Sequence, residues 1–360
     1  MLKFVLRRSL VMLLTALCLT FIVFFMTNLA PNLEKLAKSE ASARMSDDEV
    51  ASWLEKNGFG QPLLVRYGEW LGVLPGWTVT ENGETRGRCI ASPASAADAP
   101  AFCGVLQGDW GTSTVFKDSV GSILSRSLGA TAWLMLWVMI VMVPTSLLLG
   151  VLSGMREGSK LDRVLSTVAI ASTATPEYVS GVILVVIFAS ATAGLSPLLF
   201  EWGLISSKTL FLGTATSAMD GITFWNFALP VLTIALYGIG YIARMTRASM
   251  TEVMVQQYIR TARLKGVSFR QVVIRHALRN ALIAPFTVIM LQFPWLLNGV
   301  VIVETLFNYK GFGWTLVQAA GNNDIELLLG CSVVAVFVVL VTQLMSDIGY
   351  VFLNPRIRLA

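Results

Sequence analysis

Polar and apolar positions are strongly segregated along this chain. Six apolar runs approach or exceed the roughly 20 residues that a bilayer-spanning helix needs: Leu10–Ala30, Ala130–Leu152, Pro176–Leu195, Phe224–Ile242, Leu282–Val303 and Leu327–Leu353. They are continuous rather than alternating, which excludes the inside-outside strands of a membrane barrel. A helix also pairs its own backbone groups, as lipid requires. The pattern therefore predicts an all-α integral membrane protein with six transmembrane helices. A further apolar piece, Val164–Ala174, precedes Pro176 and reads as an approach to the third helix. The first run follows Lys3, Arg7 and Arg8. It is longer than a signal-peptide core and lacks a small-x-small cleavage site, so it is expected to remain as the first helix.

Composition agrees: 55% of residues are hydrophobic and 14% charged, with mean hydropathy +0.67, where a soluble domain carries about 25% charged residues. The cations are unevenly placed. The N-terminus, the loop with Arg156, Lys160 and Arg163, the stretch from Arg244 to Leu282, and the C-terminus with Arg356 and Arg358 hold 16 of the 27 basic residues. Their only acids are Glu157, Asp162 and Glu252. Positive loops stay inside, so both termini are expected to be cytoplasmic, and the net charge of +5 reports topology rather than a nucleic-acid partner. Residues 1–30 then form the N-terminus and first helix, and 31–127 the one large external region. Residues 128–360 form a five-helix core containing a cytoplasmic loop at 244–281.

In the external region, Ser46 followed by Glu49 is a helix-start signature. Pro75–Gln107, rich in Gly, Ser, Ala and Pro, reads as a loop insertion. Cys89 and Cys103 lie in that insertion on the expected oxidising side; a bridge between them is worth roughly 3 kcal/mol by the chain-entropy relation. Cys18 and Cys331 fall in spanning runs and read as packing residues.

The basic stretch Glu252–Phe286 carries the chain's single histidine, His276. Val255, Tyr258, Ile259 and Ala262 fall on one face of a helix, and Gly266 supplies a stop. Ser268 with Gln271 has capping-box spacing, and Phe269, Val272, Val273 and His276 line a second face. An element lying on anionic lipid headgroups fits this pattern, as does a docking element for a cytoplasmic protein. A helix-turn-helix DNA reader is disfavoured, because a segment tethered at both ends cannot build the supporting third helix. Composition leaves the first two readings open.

The residues also carry a resemblance. Tyr258-Ile-Arg-Thr-Ala-Arg-Leu-Lys-Gly266 and Arg275-His-Ala-Leu-Arg-Asn-Ala-Leu282 resemble the cytoplasmic EAA loop of binding-protein-dependent ABC importer permeases, specifically the oligopeptide, dipeptide and nickel branch. Further fragments are similar to that branch in order and spacing. They are Phe4–Arg8, Leu29–Pro31, Gly58–Pro62, Gly108–Ser113, Leu229–Thr233, Ala243–Met250, Val303–Phe307 with Gly311–Gly313, and Asn354–Arg358.

The resemblance implies a type I ABC importer permease fold in the bacterial inner membrane, with residues 31–127 periplasmic. It implies a second homologous permease, two ABC ATPase domains and a periplasmic solute-binding protein as partners, alongside membrane lipid. ATP and Mg would be bound on the partner subunits and no cofactor by this chain. It assigns ATPase coupling to Tyr258, Arg260, Thr261, Ala262, Arg263, Gly266, His276 and Asn280. Arg260 stands where the wider family has glutamate, and Arg279 where a proline is expected; both departures resemble the peptide branch. The 75–107 insertion lies outside the common pattern, and Phe293-Pro-Trp295 stands where small residues are more usual.

No GK[ST] phosphate loop is present, which places ATP hydrolysis on another polypeptide, and the lone histidine without a Cys/His cluster argues against a metal site. No acid, base and nucleophile set marks an enzyme. Ionisable residues at membrane depth are functional candidates: Glu177 as a pathway charge suited to a peptide's amino group, with Pro176 and Pro294 breaking helices beside a cavity, and Asp347 nearer the cytoplasmic end. The expected function is the channel-forming subunit of an ATP-driven importer, with peptide the first choice of substrate over nickel, sugar or opine. A self-contained secondary transporter is the alternative, though neither coupling-ion site nor internal repeat is evident.

Overall fold

The computed structural model describes residues 2–81, 84–90 and 99–353, with side chains excepted at 2–5, 81, 84, 293–298 and 350–353. Arg356, Arg358 and the rest of the Asn354–Arg358 fragment lie outside the described residues. In chain order the elements begin with α1 (Leu2–Thr27), α2 (Ala30–Glu40), α3 (Asp47–Lys56) and α4 (Leu63–Leu71). An antiparallel hairpin of β1 (Thr78–Glu81) and β2 (Glu84–Gly87) precedes α5 (Val120–Gly154). There follow α6 (Lys160–Ala174), α7 (Glu177–Phe188), α8 (Leu195–Glu201), α9 (Phe224–Met254) and α10 (Gln257–Leu264). Next, α11 (Phe269–Gln271) passes through a π turn (Val272–Ala277) into α12 (Leu278–Ala281), and α13 (Ile283–Leu306), α14 (Phe312–Gly321) and α15 (Ile325–Leu353) complete the chain.

By length and composition, α1, α5, α9 and α15 each suffice to cross a bilayer. Two further spans are broken: α6 and α7 meet at 110°, and Phe269–Ala281 meets Ile283–Gln292 at 49°. The described residues thus hold four spans, or up to six if each bent pair counts as one. The third apolar run shows why. Its helix α7 has 12 residues, about 18 Å at 1.5 Å per residue, against a hydrocarbon core of about 30 Å. Pro176 holds Thr175 extended (φ −93°, ψ 121°) and ends α6 there. At the far end Gly194, at φ +81°, lies so close to the α7 backbone that a Cβ would meet Val186 O at 2.3 Å.

Two other expectations shift. No Gly or Pro interrupts Ala243–Met254, so α9 continues three turns beyond Ile242, and Arg244 and Arg247 are helical rather than in a loop. The expected break at Pro294 is absent: α13 is helical throughout, and the bend lies before it, at Leu282. The side chain of Pro294 lies outside the described residues. The all-α expectation holds for the described residues apart from the two-stranded hairpin in the insertion.

The chain divides into two compact units. Unit 1 comprises 1–127 and 315–338. Its core joins Phe24 of α1, Leu33 and Leu36 of α2, Trp70 of α4, and Ile325 and Leu329 of α15. Tyr67 packs edge-on to Phe21 and Phe24 at 5.2 and 5.3 Å, with its hydroxyl 2.8 Å from Thr20 Oγ1. Ser46 caps α3 and receives Glu49 in return. Cys89 and Cys103 are bonded, with Cα atoms 5.5 Å apart; Cys18 is exposed and Cys331 buried, both free.

Unit 2 comprises 128–314 and 339–360 and is organised around α9. The apolar window of α9 is 78% buried, whereas that of α1 is 17%, so α9 is a core helix and α1 presents its surface outward. Small residues bring its neighbours close, as in membrane helix packing generally. Gly240 abuts Ala169 and Ser172 of α6, while Gly150 and Gly154 of α5 abut Thr246 and Met250.

Candidate functional site: the basic segment 255–281

The segment begins where α9 ends. α10 closes in a Schellman motif: Gly266, at φ +79°, donates to Arg263 O, and Val267 N donates to Ala262 O. That pairs the last carbonyls of the helix and turns the chain back. Ile259 and Ala262 of α10 then pack with Met250 and Met254 of α9 and with Val272, Val273, Ala277 and Ala281 of the returning arm. Asn280 Nδ2 donates to Tyr258 Oη at 2.9 Å, and Ser249 Oγ to Ala281 O at 2.7 Å, so both arms are tied together and to α9. The Arg156 guanidinium lies 5.3 Å from the Phe269 ring centre, a favourable cation–π placement.

The outward side is cationic and apolar together. Val255 is 78% exposed, Leu264 80% and Ile274 53%. Around them Arg260, Arg263, Arg270, Arg275 and Arg279 are all exposed.

Several expected positions move. Val255 lies outside α10 and leaves the predicted face. Ala262 is 7% exposed and faces inward, so it belongs to the segment's own packing, whereas Thr261 and Arg263 beside it point out. Ser268 starts α11 without a side-chain cap. The π turn explains His276: its i→i+5 bonding brings Ala277, not His276, onto the face of Val272, and His276 is exposed. Of the eight predicted coupling residues, seven are solvent-facing and Ala262 is not.

A buried ion pair anchors the level just before the segment. Asp162 of α6, 2% exposed, accepts from Arg247 Nε at 2.5 Å and Nη2 at 2.9 Å. It also accepts from Gly158 N at 2.8 Å and Ser166 Oγ at 3.1 Å. Bidentate, fully hydrogen-bonded pairing of this kind is the strong form of an ion pair. It locks α9 to α6, the helix that leads into Pro176. Pro176 is exposed at the start of α7; Glu177 is half-buried there, and a Cβ on Gly299 of α13 would lie 3.8 Å from its Oε1. The structure brings Glu177 to the α7–α13 contact but not to the basic segment.

The sequence reading missed two fully buried acids. Glu304, within the Val303–Phe307 fragment, is 0% exposed and accepts from Thr131 Oγ1 at 2.5 Å and Trp314 N at 3.1 Å. Gly311 and Gly313 leave it room: a Cβ at either would meet its carboxylate at 2.1 and 3.1 Å. Asp324, also 0% exposed, accepts from Ser113 Oγ at 2.5 Å and Val115 N at 3.2 Å. The signal was available: each acid is paired with a Gly-rich fragment singled out for its resemblance or lies against one. Among the described residues no group of three His, Cys, Asp or Glu is placed to hold a metal.

The family model for the binding-protein-dependent transport system inner membrane component matches residues 146–359, which include the whole basic segment. The chain belongs to this family. It is a multi-pass inner-membrane permease component of an ABC importer, not an enzyme, and the ATPase is a separate subunit. Three curated relatives match over their full length. A probable peptide ABC transporter permease protein of Sinorhizobium fredii is 29% identical, covering 99% of each chain. An oligopeptide transport system permease protein of Bacillus subtilis is 29% identical over 99% of this chain and 100% of its own. A di/tripeptide transport system permease protein of Pseudomonas aeruginosa is 31% identical over 99% of each.

Proposed function

We propose that this chain forms half of the translocation path of a peptide importer. It takes peptide from a periplasmic binding protein, pairs with a second permease, and couples to two ATPase domains through residues 255–281. The peptide is supported by the full-length relatives, which are named as peptide, oligopeptide and di/tripeptide permeases. Six crossings with both termini cytoplasmic are supported by the positive-inside distribution of Lys and Arg, each bent helix pair counting as one crossing.

The observation that carries the coupling role is the two-faced build of the basic segment. One side is packed into the protein; the other presents Leu264, Val255 and Ile274 among five arginines, the mixture expected of a protein interface with a polar rim. Closure of the ATPase subunits would push on α10. The push passes to α9 through Ile259 and Ala262, then to α6 through Arg247 and Asp162, and so to the α6–α7 bend beside Glu177.

The test is purification of the assembled complex from membranes with Leu264→Asp in place of wild type. Leu264 is exposed, so the variant keeps its fold while a charge enters the docking face. Loss of the ATPase subunits from the purified complex is expected. Their full retention, with unchanged ATP-driven peptide uptake, would make residues 255–281 a lipid-facing element instead.

A further inference from the structure

Helix α4 buries the wrong residues for an ordinary amphipathic helix. Arg66, Glu69 and Trp70, at i, i+3 and i+4, are 9%, 4% and 2% exposed, while Leu64 is 70% exposed. Arg and Glu are almost never so deeply buried unless paired, and no salt bridge at contact distance joins Arg66 to Glu69 among the described residues. Within unit 1 this face lines a cavity of about 670 Å³, within the range of about 300–1,000 Å³ of small-molecule sites.

The insertion supplies the facing wall. Trp77 and Arg88 both line the cavity and are held together by Arg88 N donating to Trp77 O at 3.0 Å. The next residue, Cys89, is fixed by its bond to Cys103. Asp109 and Glu326 add carboxylates. A Cβ on Gly111 would come 2.8 Å from Glu326 Oε2, so glycine there is what lets this acid reach the wall.

Donors and acceptors in and around this wall are both left over. Arg66 Nη1 reaches Phe59 O at 3.3 Å, but Nη2 has no partner. Arg88 Nη1 lies 3.8 Å from Glu326 Oε1, yet Arg88 Nε, Glu326 Oε2 and Gln61 Oε1 are buried and unpaired. Buried polar groups are normally satisfied, so a cluster of exceptions calls for a missing partner. A metal would not satisfy arginine, and an inorganic anion would not satisfy Glu326. A ligand with an ammonium and a carboxylate satisfies both kinds, and Trp70 and Trp77 offer aromatic surface for a side chain and for the cation.

We propose that this cavity binds an amino acid or short peptide, its carboxylate held by Arg66 and Arg88 and its ammonium by Glu69 and Glu326. The choice of peptide deepens the importer reading; the site itself rests on unit 1 alone.

The test is equilibrium binding of radiolabelled alanyl-leucine to the full chain in lipid nanodiscs, without ATPase partners or nucleotide. Saturable binding with Kd below about 1 mM is expected. Blocking either end, as the N-acetyl or C-terminal amide form, should weaken it at least about tenfold on the unmodified protein, a result that depends on no variant. Arg88→Gln and Trp77→Leu, checked for an intact Cys89–Cys103 bond by alkylation mass, should each do the same, while Glu201→Gln, at an exposed residue of α8 that does not line the cavity, should leave it unchanged. Absence of saturable binding overturns the proposal. So does binding that both insertion variants leave intact, since the ligand would then sit elsewhere. Peptide uptake by the assembled importer without this binding sinks the site alone; this binding without peptide uptake sinks the importer's assigned substrate alone.

Discussion

Replacing Arg247 with Met strips Asp162 of two charge-assisted hydrogen bonds at once. The carboxylate is 2% exposed and keeps only Gly158 N and Ser166 Oγ as donors. Removing one partner of a buried pair costs about 3–5 kcal/mol. The Arg247 side chain is 30% exposed, so water reaches the gap and the lower end, about 3 kcal/mol, is expected. Asp162→Leu instead leaves the Gly158 amide without its acceptor, at about 1–3 kcal/mol, and leaves the guanidinium only Glu157, at 4.0 Å. The double variant loses the pair without stranding a buried carboxylate. It should therefore cost less than the sum of the single changes by at least about 1.5 kcal/mol, since contacting residues are not additive. The four proteins are compared by sodium dodecyl sulfate titration of the purified chain, followed by far-ultraviolet circular dichroism. A coupling within about 0.5 kcal/mol of zero would make this a screened surface pair and would remove the proposed mechanical link between α9 and α6.

Gly311→Ala places a Cβ 2.1 Å from Glu304 Oε1, a collision with a buried carboxylate that should cost about 1–3 kcal/mol, read as reduced thermal stability of the purified chain, with Gly321→Ala, where the Cβ meets open space, as the neutral control. Burial raises the Glu69 carboxyl above its ordinary value, with Arg88, Gln61 and Arg66 opposing the shift. The folded state therefore binds a proton more readily than the unfolded state, and Glu69 contributes a loss of stability as pH rises from about 4.5 through the raised value; proteolysis within unit 1 across that range should show this slope, and Glu69→Gln should flatten it.

The sequence made the elements visible where one rule dominates. Long apolar runs announce α1, α5, α9 and α15, and Ser46 with Glu49 announces α3, because a local capping box needs nothing from the rest of the chain. Gly266 is legible for the same reason: a left-handed residue ends a helix wherever it stands. What was not legible depends on partners far away in sequence. Ala262 and Val255 sit on one predicted stripe, but α9 stops at Met254, so only Ala262 remains in the helix that packs on Met250 and Met254. The π turn is equally invisible to a 3.6-residue period, and it alone moves His276 off the buried face. The depth of Asp162, Glu304 and Asp324 could not be read from charge, since an acid in a short loop and one at a helix junction look alike in sequence.

These acids follow one construction, and it separates fold from specificity. Glu304 lies against Gly311 and Gly313, Asp162 accepts from Gly158, and Asp324 accepts from Ser113, two residues beyond Gly111. In each case a carboxylate accepts from a backbone amide, that of Trp314, Gly158 or Val115, and at Glu304 the two glycines keep the approach open; a carboxylate so paired is stable where a bare one is not. The fragments Gly108–Ser113 and Val303–Phe307 with Gly311–Gly313 are therefore staples of the scaffold. Selectivity within such a scaffold has to come from parts the staples do not fix. The 75–107 insertion is one of these, and it contributes Trp77 and Arg88 to a cavity of unit 1 in which both charges and aromatic rings are gathered. An insertion that only lengthened a loop would have no reason to set a half-buried arginine against Glu326.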